Sequence, residues 1–356
     1  MFHRESGYYK STYAADQALY PLPISKFTIV ALLVIFYVVA PAIVGDRYIT
    51  LLNLVGIAVV GALGLNILLG LTGQISIGHA AFMSVGAYTA ANLATRLDLP
   101  FWITLPAGGL MAAFIGIIVG FPSVRIKGLY LAISTLAAQF IIDWIIIHTP
   151  SISGGFAASI QVPRPVLFGE ELDSQRELYY FILVVATIAI IASLNIARSR
   201  VGRAFIAIRD QDIAAEIIGI NVRRYKLTAF AISSFYAGVT GVLFVYYSGV
   251  ANNEFFPLVV SIDYLAMVII GGAGSVLGSI FGAIFVTILP IGIDQFMTSV
   301  GPLFTDDIGA LAGIKSHLRL IIFGGLIMFF LVVEPDGLNR LWLNIRNYFR
   351  VWPFSY

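Results

Sequence analysis

The segment Tyr48–Gly70 reads YITLLNLVGIAVVGALGLNILLG and contains no charged side chain. A helix of about 20 apolar residues crosses the roughly 30 Å of bilayer hydrocarbon, so this segment predicts a transmembrane helix. The composition agrees: 59% of the 356 residues are hydrophobic, 11% are charged, and the mean hydropathy is +0.92. Soluble domains are about 25% charged, which excludes an ordinary soluble enzyme, a disordered protein and a nucleic-acid-binding protein.

Apolar runs of similar length recur on both sides of this segment. Each run predicts one crossing, so we expect an all-α polytopic membrane helix bundle with about 10 transmembrane helices. Two assignments are open: Ile77–Thr95 is rich in small residues and could form a broken or re-entrant helix, and Val259–Asp294 could divide elsewhere around Gly271–Gly274. The count therefore lies between about 8 and 10. The predicted spans are Phe27–Val44, Tyr48–Gly70, Ile77–Thr95, Phe101–Phe121, Gly128–His148, Leu178–Ala197, Leu227–Ser248, Val259–Ile270, Val276–Asp294 and Leu318–Val333.

Two polar interruptions, residues 149–177 and residues 198–226, predict the orientation. The second, here called the basic loop, carries seven basic side chains, whereas the first carries two basic and four acidic ones. Positively charged loops stay in the cytoplasm, so we expect 198–226 inside, 149–177 outside and, by counting spans, both termini in the cytoplasm. The chain then divides into a cytoplasmic N-terminal segment (1–26), a transmembrane domain (27–334) and a cytoplasmic tail (335–356).

Catalytic and metal-binding signals are missing from the sequence. There is no cysteine, which excludes disulfides, thiolate nucleophiles and Cys-ligated metals. The sequence contains no Walker A, H-E-x-x-H or G-x-S-x-G motif. We expect no catalytic residues, no metal site and no nucleotide hydrolysis by this chain. The net charge of +2 is too small to imply a polyanionic partner, and the polar residues 1–26 do not predict a cleavable signal peptide.

The stretch GLTGQISIGHAAFMSVGAY, from Gly70 to Tyr88, concentrates polar side chains and glycines at the edge of a predicted span. Polar groups in hydrocarbon are costly unless they line a cavity or face another helix. One interpretation is an opened helix whose free amides face an anionic group, such as a carboxylate. The other is a turn followed by a small-residue packing face, with a structural histidine. The candidate substrate-pathway residues, chosen by polarity, are Gln74, Ser76, His79, Ser134, Thr135 and Gln139.

The stretch VIIGGAGSVLGSIFGA, residues 268–283, imitates a dinucleotide-binding fingerprint. The imitation fails because Leu277 stands where the third glycine should be and because the following segment has no polar face. Gly274, Gly278 and Gly282 recur every four residues, which is typical of close helix packing in membranes. We therefore predict that these three glycines serve helix packing.

Within the basic loop, residues 213–218 favour a short amphipathic helix, which Asp210 or Asp212 can cap and Gly219 can end. Such a helix could lie on anionic lipid. It could also dock in the groove of a partner protein. The small pair Ala214-Ala215 favours docking, since lipid-facing helices prefer bulky side chains.

Taken together, in this order and spacing, these stretches resemble the permease subunits of branched-chain amino-acid ABC importers, specifically the LivM type. The resemblance covers roughly Leu52 to Leu338. Its blocks are GLTGQISIGHAAF from Gly70, the loop Arg203–Tyr225, the glycines of 271–283, and LRLIIFG from Leu318 followed by EPDGL from Glu334.

The resemblance implies an ABC-importer permease fold and a pore-forming subunit of an ATP-driven importer for branched-chain amino acids or related small solutes. Such a subunit works by alternating access in a bacterial or archaeal inner membrane. The implied partners are a second, H-type permease subunit, two cytoplasmic ATPase subunits that bind ATP and Mg, an external solute-binding protein and membrane lipid. The chain itself would hold no cofactor, would not be an enzyme and would bind no nucleic acid.

The resemblance also implies a coupling helix in the basic loop, where Ala214-Ala215-x-x-x-Gly219 is similar to the core of the permease EAA loop. Ile213 replaces the usual leading Glu, so a polar anchor would come from a neighbouring acid. The implied coupling residues are Arg203, Arg209, Asp210, Asp212, Ala214, Ala215, Glu216 and Gly219.

An alternative function from the residues alone is a stand-alone ion-coupled secondary transporter or channel. It is motivated by His79, Asp143 and Asp263, which lie near or within predicted spans. The two acids are more typical of interfacial positions than of proton relays, and no clear inverted repeat supports a secondary transporter.

Overall fold

Long helices account for most of the computed structural model, which describes residues 11–12, 23–123, 128–155, 158–167, 170–172, 174–300, 321–322, 324–330, 332 and 337–351. Most of the N-terminal segment 1–26 lies outside the described residues. So do residues 318–320, 323, 331 and 333 of the predicted span Leu318–Val333, which include part of the family block from Leu318. The helices are α1 (Pro23–Val34), α2 (Ala40–Ile43), α3 (Asp46–Asn66), α4 (His79–Arg96), α5 (Phe101–Ser123), α6 (Leu129–His148), α7 (Pro150–Ser153), α8 (Gln175–Arg198), α9 (Arg200–Asp210), α10 (Asp212–Ile217), α11 (Val222–Ser248), α12 (Leu258–Gly271), α13 (Val276–Val300) and α14 (Gly337–Val351).

Two π-helical turns modify the first spans. Ile35–Val39 joins α1 to α2, and Ile67–Leu71 continues α3 at its C-terminal end. A single 3-10 turn, Asn253–Phe255, precedes α12. π-helical turns widen the backbone locally and are frequent at functional sites, and the second of these turns leads directly into the polar stretch that follows Gly70.

Seven helices in the described part of the chain are long and apolar enough to cross a membrane. A polytopic helical bundle is therefore present, while the predicted count of about 10 spans stays a prediction. Two open assignments are now resolved: α4 is continuous from His79 to Arg96, and α12 and α13 are separated by residues 272–275. The seven helices are Tyr48–Leu71, Phe101–Pro122, Tyr130–His148, Gln175–Arg198, Val222–Ser248, Asn253–Gly271 and Val276–Phe296.

Helix α11 forms the centre of the bundle and packs against α3, α4 and α5. Small residues make these approaches close. A Cβ added to Gly86 of α4 would lie 2.3 Å from the carbonyl oxygen of Gly238, and one added to Gly241 would lie 1.9 Å from that of Met83. Helices in membranes associate through such small-residue contacts, because lipid offers no hydrophobic driving force between them.

Two short antiparallel ribbons depart from the all-α prediction. Strand β1 (Ser159–Gln161) pairs with β4 (Val250–Asn252), and β2 (Val166–Leu167) pairs with β3 (Glu170–Glu171). The first ribbon ties the interruption 149–177 to the turn after α11, and the Tyr88 hydroxyl donates to the Ala158 carbonyl beside it. Strands of two or three residues are too short to show an alternation of apolar and polar side chains in the sequence. They form because backbone N–H and C=O groups outside helices also need hydrogen-bond partners.

The predicted cytoplasmic tail contains a helix, α14, which the sequence reasoning did not include. It begins at Gly337 with φ +61°. A Cβ at this position would lie 2.5 Å from the carbonyl oxygen of Ile270, so the start of α14 packs on the end of α12. The tail is thus an element of the fold along 337–351.

Candidate functional site

Between α3 and α4 the chain leaves the helical path at residues 73–78, here called the polar turn. The turn lies inside the bundle, and Gln74, Ser76 and His79 are all buried. A helix that restarts at His79 leaves the backbone amides of its first turn without helical partners. Those amides need other partners, because a buried amide without a hydrogen bond is costly.

Side chains from two neighbouring helices supply these partners. The hydroxyl of Thr135 on α6 accepts from the Ile77 amide at 3.0 Å, and the hydroxyl of Ser261 on α12 accepts from the Ala80 amide at 2.8 Å. Gln139 on α6 accepts from the Ala81 amide through Oε1 at 2.8 Å. The amides that could have faced an anionic group are therefore capped by protein side chains, as in the packing interpretation.

The structure gathers five of the six candidate pathway residues around this turn. Thr135 and Gln139 are four residues apart on α6 and share one face. The sixth candidate, Ser134, is half-buried and, as the neighbour of Thr135, lies about 100° around the helix from it. Sequence analysis did not select Ser261, which accepts from the Ala80 amide, or Asn66, which accepts from the Gly274 amide. The signal available for both was an isolated polar residue in an otherwise apolar span.

Two buried polar atoms near this turn have no hydrogen-bond partner in the described part of the chain, Gln74 Oε1 and His79 Nε2. The His79 side chain is held by a hydrogen bond with the Gly61 backbone, and its ring lies 5.2 Å from the ring of Tyr264. Gln74 donates through Nε2 to the Thr72 hydroxyl at 2.9 Å. Both side chains are thus oriented by protein contacts, and each keeps one polar atom without a hydrogen-bond partner among the described residues.

The basic loop begins with α9, which Ser199 caps by accepting from the Gly202 amide at 3.2 Å. Its buried face holds Phe205 and Ile208 against the bundle. This packing directs Arg209 to the end of α3, where its Nη1 donates to the carbonyl oxygen of Gly70 at 2.9 Å. A guanidinium group to a backbone carbonyl is a charge-assisted hydrogen bond, roughly twice as strong as a neutral one.

Glycines make room for Arg209 at this point. A Cβ on Gly73 would lie 3.1 Å from Arg209 Cγ, and a Cβ on Gly274 would lie 3.0 Å from Arg209 Nη1. The amide of Gly274 donates to Asn66 Oδ1 at 2.8 Å. The basic loop, the polar turn and the glycine stretch, which are distant in sequence, therefore meet around one guanidinium group.

The glycines of residues 268–283, which form the glycine stretch, have two structural roles. Gly274 precedes α13 and has φ +89°, so it belongs to the turn and does not lie on the helix face where we predicted it. Gly278 and Gly282 do lie on α13. A Cβ on Gly278 would lie 2.5 Å from the Gly271 carbonyl oxygen, and one on Gly282 would lie 1.8 Å from that of Met267.

A second connection joins α10 to the polar turn. Asp212, the first residue of α10, pairs with Lys226 of α11 at 3.6 Å, and both side chains are largely shielded from solvent. The carbonyl oxygen of the same Lys226 accepts from Gln74 Nε2 at 3.4 Å. The short helix is thus linked to the polar turn through Arg209, just before it, and through Asp212 at its start.

The opposite side of α10 presents apolar side chains to solvent. Ala215 is 2% exposed and packs inward, whereas Ile213, Ile217 and Ile218 are 61%, 81% and 74% exposed. We call these three isoleucines the apolar tip. Gly219 ends the segment with φ +90°.

The remaining coupling candidates lie around this helix in different ways. Ala214 and Glu216 are exposed beside the apolar tip, and Asp210 pairs with Arg209 at 3.1 Å. Arg203 donates to the Arg198 carbonyl oxygen at 2.9 Å and so stays within the basic loop. Within the described residues, no group of three His, Asp or Glu side chains could hold a metal ion.

Comparison with known proteins gives one family over most of the chain. Residues 47–331 match the family described as branched-chain amino acid transport system / permease component. The high-affinity branched-chain amino acid transport system permease protein LivM of Escherichia coli (strain K12) is 33% identical over 348 residues, which is 90% of this chain and 77% of that protein. No solved structure matches the chain significantly.

Two further relatives have lower identity. The probable branched-chain amino acid transport permease protein LivM of Methanocaldococcus jannaschii is 25% identical over 240 residues, 64% of this chain and 66% of that protein. The high-affinity branched-chain amino acid transport system permease protein LivH of Escherichia coli (strain K12) is 21% identical over 294 residues, 78% of this chain and 89% of that protein.

The relatives are permease components, which excludes the stand-alone ion-coupled transporter as the preferred function. The apolar helices, the buried polar turn and the linked short helix of this chain agree with a transmembrane subunit that performs no chemistry itself. The chain therefore belongs to the branched-chain amino acid transport system permease family, as a pore-forming membrane subunit of an ABC transporter.

Proposed function

We propose that this subunit imports branched-chain amino acids together with a second, H-type permease subunit, two cytoplasmic ATPases and an external solute-binding protein. The names of the LivM relatives support the substrate class, and the similarity to LivH proteins supports a paired permease. We further propose about 10 spans with both termini in the cytoplasm of a bacterial or archaeal cell, in line with the basic loop on the inner side.

The observation that carries the coupling proposal is the apolar tip on α10. Three isoleucines that are more than half exposed, on a helix among seven basic residues, are a costly feature for a surface facing water. Burying an Ile side chain at an interface is worth about 1.5–3 kcal/mol. An ATPase groove that accepts this tip explains why the helix keeps it, as in helix-in-groove recognition.

Two contacts, made by Arg209 and Asp212, connect α10 to the helix bundle and transmit its movement. When a partner displaces α10, the Arg209–Gly70 hydrogen bond and the Asp212–Lys226 pair carry the displacement to Gly70 and Gln74, at the start of the polar turn. The polar turn is followed directly by the N-terminus of α4, which Thr135, Gln139 and Ser261 hold. A nucleotide can shift the pore between two states only if the ATPases bind α10 differently in each.

The substrate pathway is proposed to run past the polar turn. Gln74 Oε1 and His79 Nε2 are the acceptor atoms there that keep an open position. In an alternating-access cycle such groups line the path of a polar solute, since a buried polar atom without a partner is otherwise unfavourable. Uptake of labelled leucine, isoleucine and valine into cells lacking and carrying the gene tests the substrate class.

The docking assignment is tested by adding one negative charge at two positions. Ile217→Glu places it on the apolar tip, and Gln211→Glu places it on the exposed residue just before α10. We expect Ile217→Glu to abolish both co-purification of the ATPases and ATP-driven uptake, while Gln211→Glu leaves both near the parent level. Retention of the ATPases by Ile217→Glu would show that the tip is not the docking surface.

A further inference from the structure

A long cleft runs beside α13. Its volume is about 910 Å³, in the range of pockets that hold a small molecule. Every lining residue among those described is apolar or glycine. The lining comprises Phe281, Ile284, Phe285, Ile288, Leu289, Gly292, Ile293 and Phe296 of α13, Ile322, and Leu338, Leu341, Trp342 and Ile345 of α14.

The cleft extends along the membrane-crossing direction of α13. From Phe281 to Phe296 the helix rises about 22 Å at 1.5 Å per residue. Half of the bilayer hydrocarbon is about 15 Å thick. An almost wholly apolar space of this length is long enough for the acyl chain of a lipid from one leaflet, and the indole N–H of Trp342 is the one side-chain hydrogen-bonding group among its described lining residues.

Helix α14 closes one end of the cleft. Leu338, Leu341, Trp342 and Ile345 follow the i, i+3, i+4, i+7 pattern and face it, and Trp342 lies 5.8 Å from Phe281 between ring centroids. Leu341, Trp342 and Ile345 are nevertheless more than 40% exposed, because the cleft is open to its surroundings. The start of α14 packs on residues 270–272, so the helix lies on the same side of the bundle as Arg209 and the basic loop.

The other faces of α14 carry charge of one sign. The helix contains Arg340, Arg346 and Arg350 and no acidic residue. Arg346 is exposed and, at 40° from Trp342 around the helix, borders the apolar face. A basic amphipathic helix with Trp beside its apolar face is the arrangement that lies in the membrane interface and attracts anionic lipid.

We propose that the α13–α14 cleft is a binding site for an anionic phospholipid, with one acyl chain along α13 and the headgroup phosphate at Arg346, which borders the apolar face of α14. This site is separate from the substrate pathway. The charge of the headgroup decides the occupant, because acyl chains of all phospholipids fit the apolar lining equally. Each arginine near an anionic headgroup is worth roughly a fivefold preference.

Trp342 provides a reporter inside the site. The protein, purified with its natural partners, is reconstituted in vesicles that contain increasing fractions of brominated phosphatidylglycerol or brominated phosphatidylcholine, since bromine quenches tryptophan on contact. The Trp342 signal is the fluorescence difference between the parent and Trp342→Phe. The signal of Trp102, exposed at the start of α5, is obtained likewise with Trp102→Phe and serves as the control.

We expect half-quenching of Trp342 at a several-fold lower fraction of the anionic lipid than of the zwitterionic lipid, and equal quenching of Trp102 by both. Arg346→Gln should remove most of the preference at Trp342, while unchanged Trp102 quenching reports an intact fold. Equal quenching of parental Trp342 by the two lipids would overturn the proposal. Absence of quenching by either would also overturn it, since protein, such as a second permease subunit, would then fill the cleft.

Discussion

Thr135 shows how a polar residue in an apolar helix can serve another helix. Its hydroxyl lies on α6 but satisfies the amide of Ile77, two residues before α4 begins. The carbonyl of Ala132 accepts the proton of the same hydroxyl, at 2.9 Å. The Thr135 side chain therefore caps an amide of the polar turn from a different helix. Local sequence rules for helix caps do not detect such a partner.

Thr135→Val keeps the shape of the side chain and removes this partner. The Ile77 amide is then buried without an acceptor, which costs about 1–3 kcal/mol. We expect the apparent melting temperature of the purified protein to fall by several degrees, followed by intrinsic fluorescence. Ser134→Ala, one residue away and only half-buried, should change it little. Equal shifts for the two variants would contradict the capping role.

Gly282 and Gly292 form a matched pair on α13. A Cβ at Gly282 would lie 1.8 Å from the Met267 carbonyl oxygen, whereas a Cβ at Gly292 has no atom within 4 Å. Gly282→Ala must push α12 and α13 apart, and overpacking of this kind costs about 1–3 kcal/mol. Thermal unfolding should show a clear loss of stability for Gly282→Ala. Gly292→Ala should be neutral or slightly stabilising, because alanine favours the helix.

At the level of single residues, the sequence could indicate which side chains matter but not their contacts. The spacing of Gly278 and Gly282 placed both on one helix face, where they now lie against α12. The same spacing included Gly274, which has a positive φ in the turn. The four-residue period cannot distinguish a helix from the turn before it. Likewise, polarity selected Gln74 and Gln139, but the donor and acceptor of each depend on the fold.

Among the elements, the link between α9 and α3 has the clearest mechanical role. Arg209 reaches the Gly70 carbonyl through Nη1 while Nε donates to Asp210 at 3.1 Å, so one planar group serves two directions. A lysine carries the same charge but cannot reproduce this fork. The link between α9 and α3 therefore depends on the planar geometry of the guanidinium group and not on its charge alone.

Arg209→Lys should weaken the connection between the ATPases and the pore. We expect ATP-driven uptake to fall at least several-fold while the ATPases still co-purify, since the apolar tip is unchanged. Arg203→Lys is the control, because the Arg203 side chain donates to the carbonyl of Arg198 within its own loop and not to Gly70. Uptake and ATP hydrolysis measured in proteoliposomes separate the two effects. Normal uptake by Arg209→Lys would argue against this route of coupling.

The helices and strands of this chain differ in how well the sequence predicts them. The long spans were predicted within a few residues, because twenty apolar residues in a row have few alternatives. Helix α14 was missed because 335–356 is too polar for a span, although Leu338, Leu341, Trp342 and Ile345 have helical spacing. The ribbon of β1 and β4 could not be predicted, since three-residue strands far apart in sequence show no pattern.

For the whole molecule, the orientation in the membrane follows from charge and is open to a direct measurement. The chain has no cysteine, so single cysteines can be introduced at Gln161 in β1, Gln211 before α10 and Asn344 in α14. All three residues are exposed. In intact cells, a membrane-impermeant maleimide should label only Gln161→Cys. After permeabilisation it should label Gln211→Cys and Asn344→Cys as well. Labelling of Asn344→Cys in intact cells would reverse the assignment of the tail.

The ribbon between β1 and β4 has a consequence for the biosynthesis of the protein. Residues 159–161 leave the ribosome well before residues 250–252, and helices α8 and α11 have to be inserted in between. Until then the backbone of β1 has no partner strand, so the ribbon is among the last contacts to close. Substitutions that weaken it should therefore lower the yield of assembled protein, through degradation of unfinished chains, while the molecules that do mature transport normally.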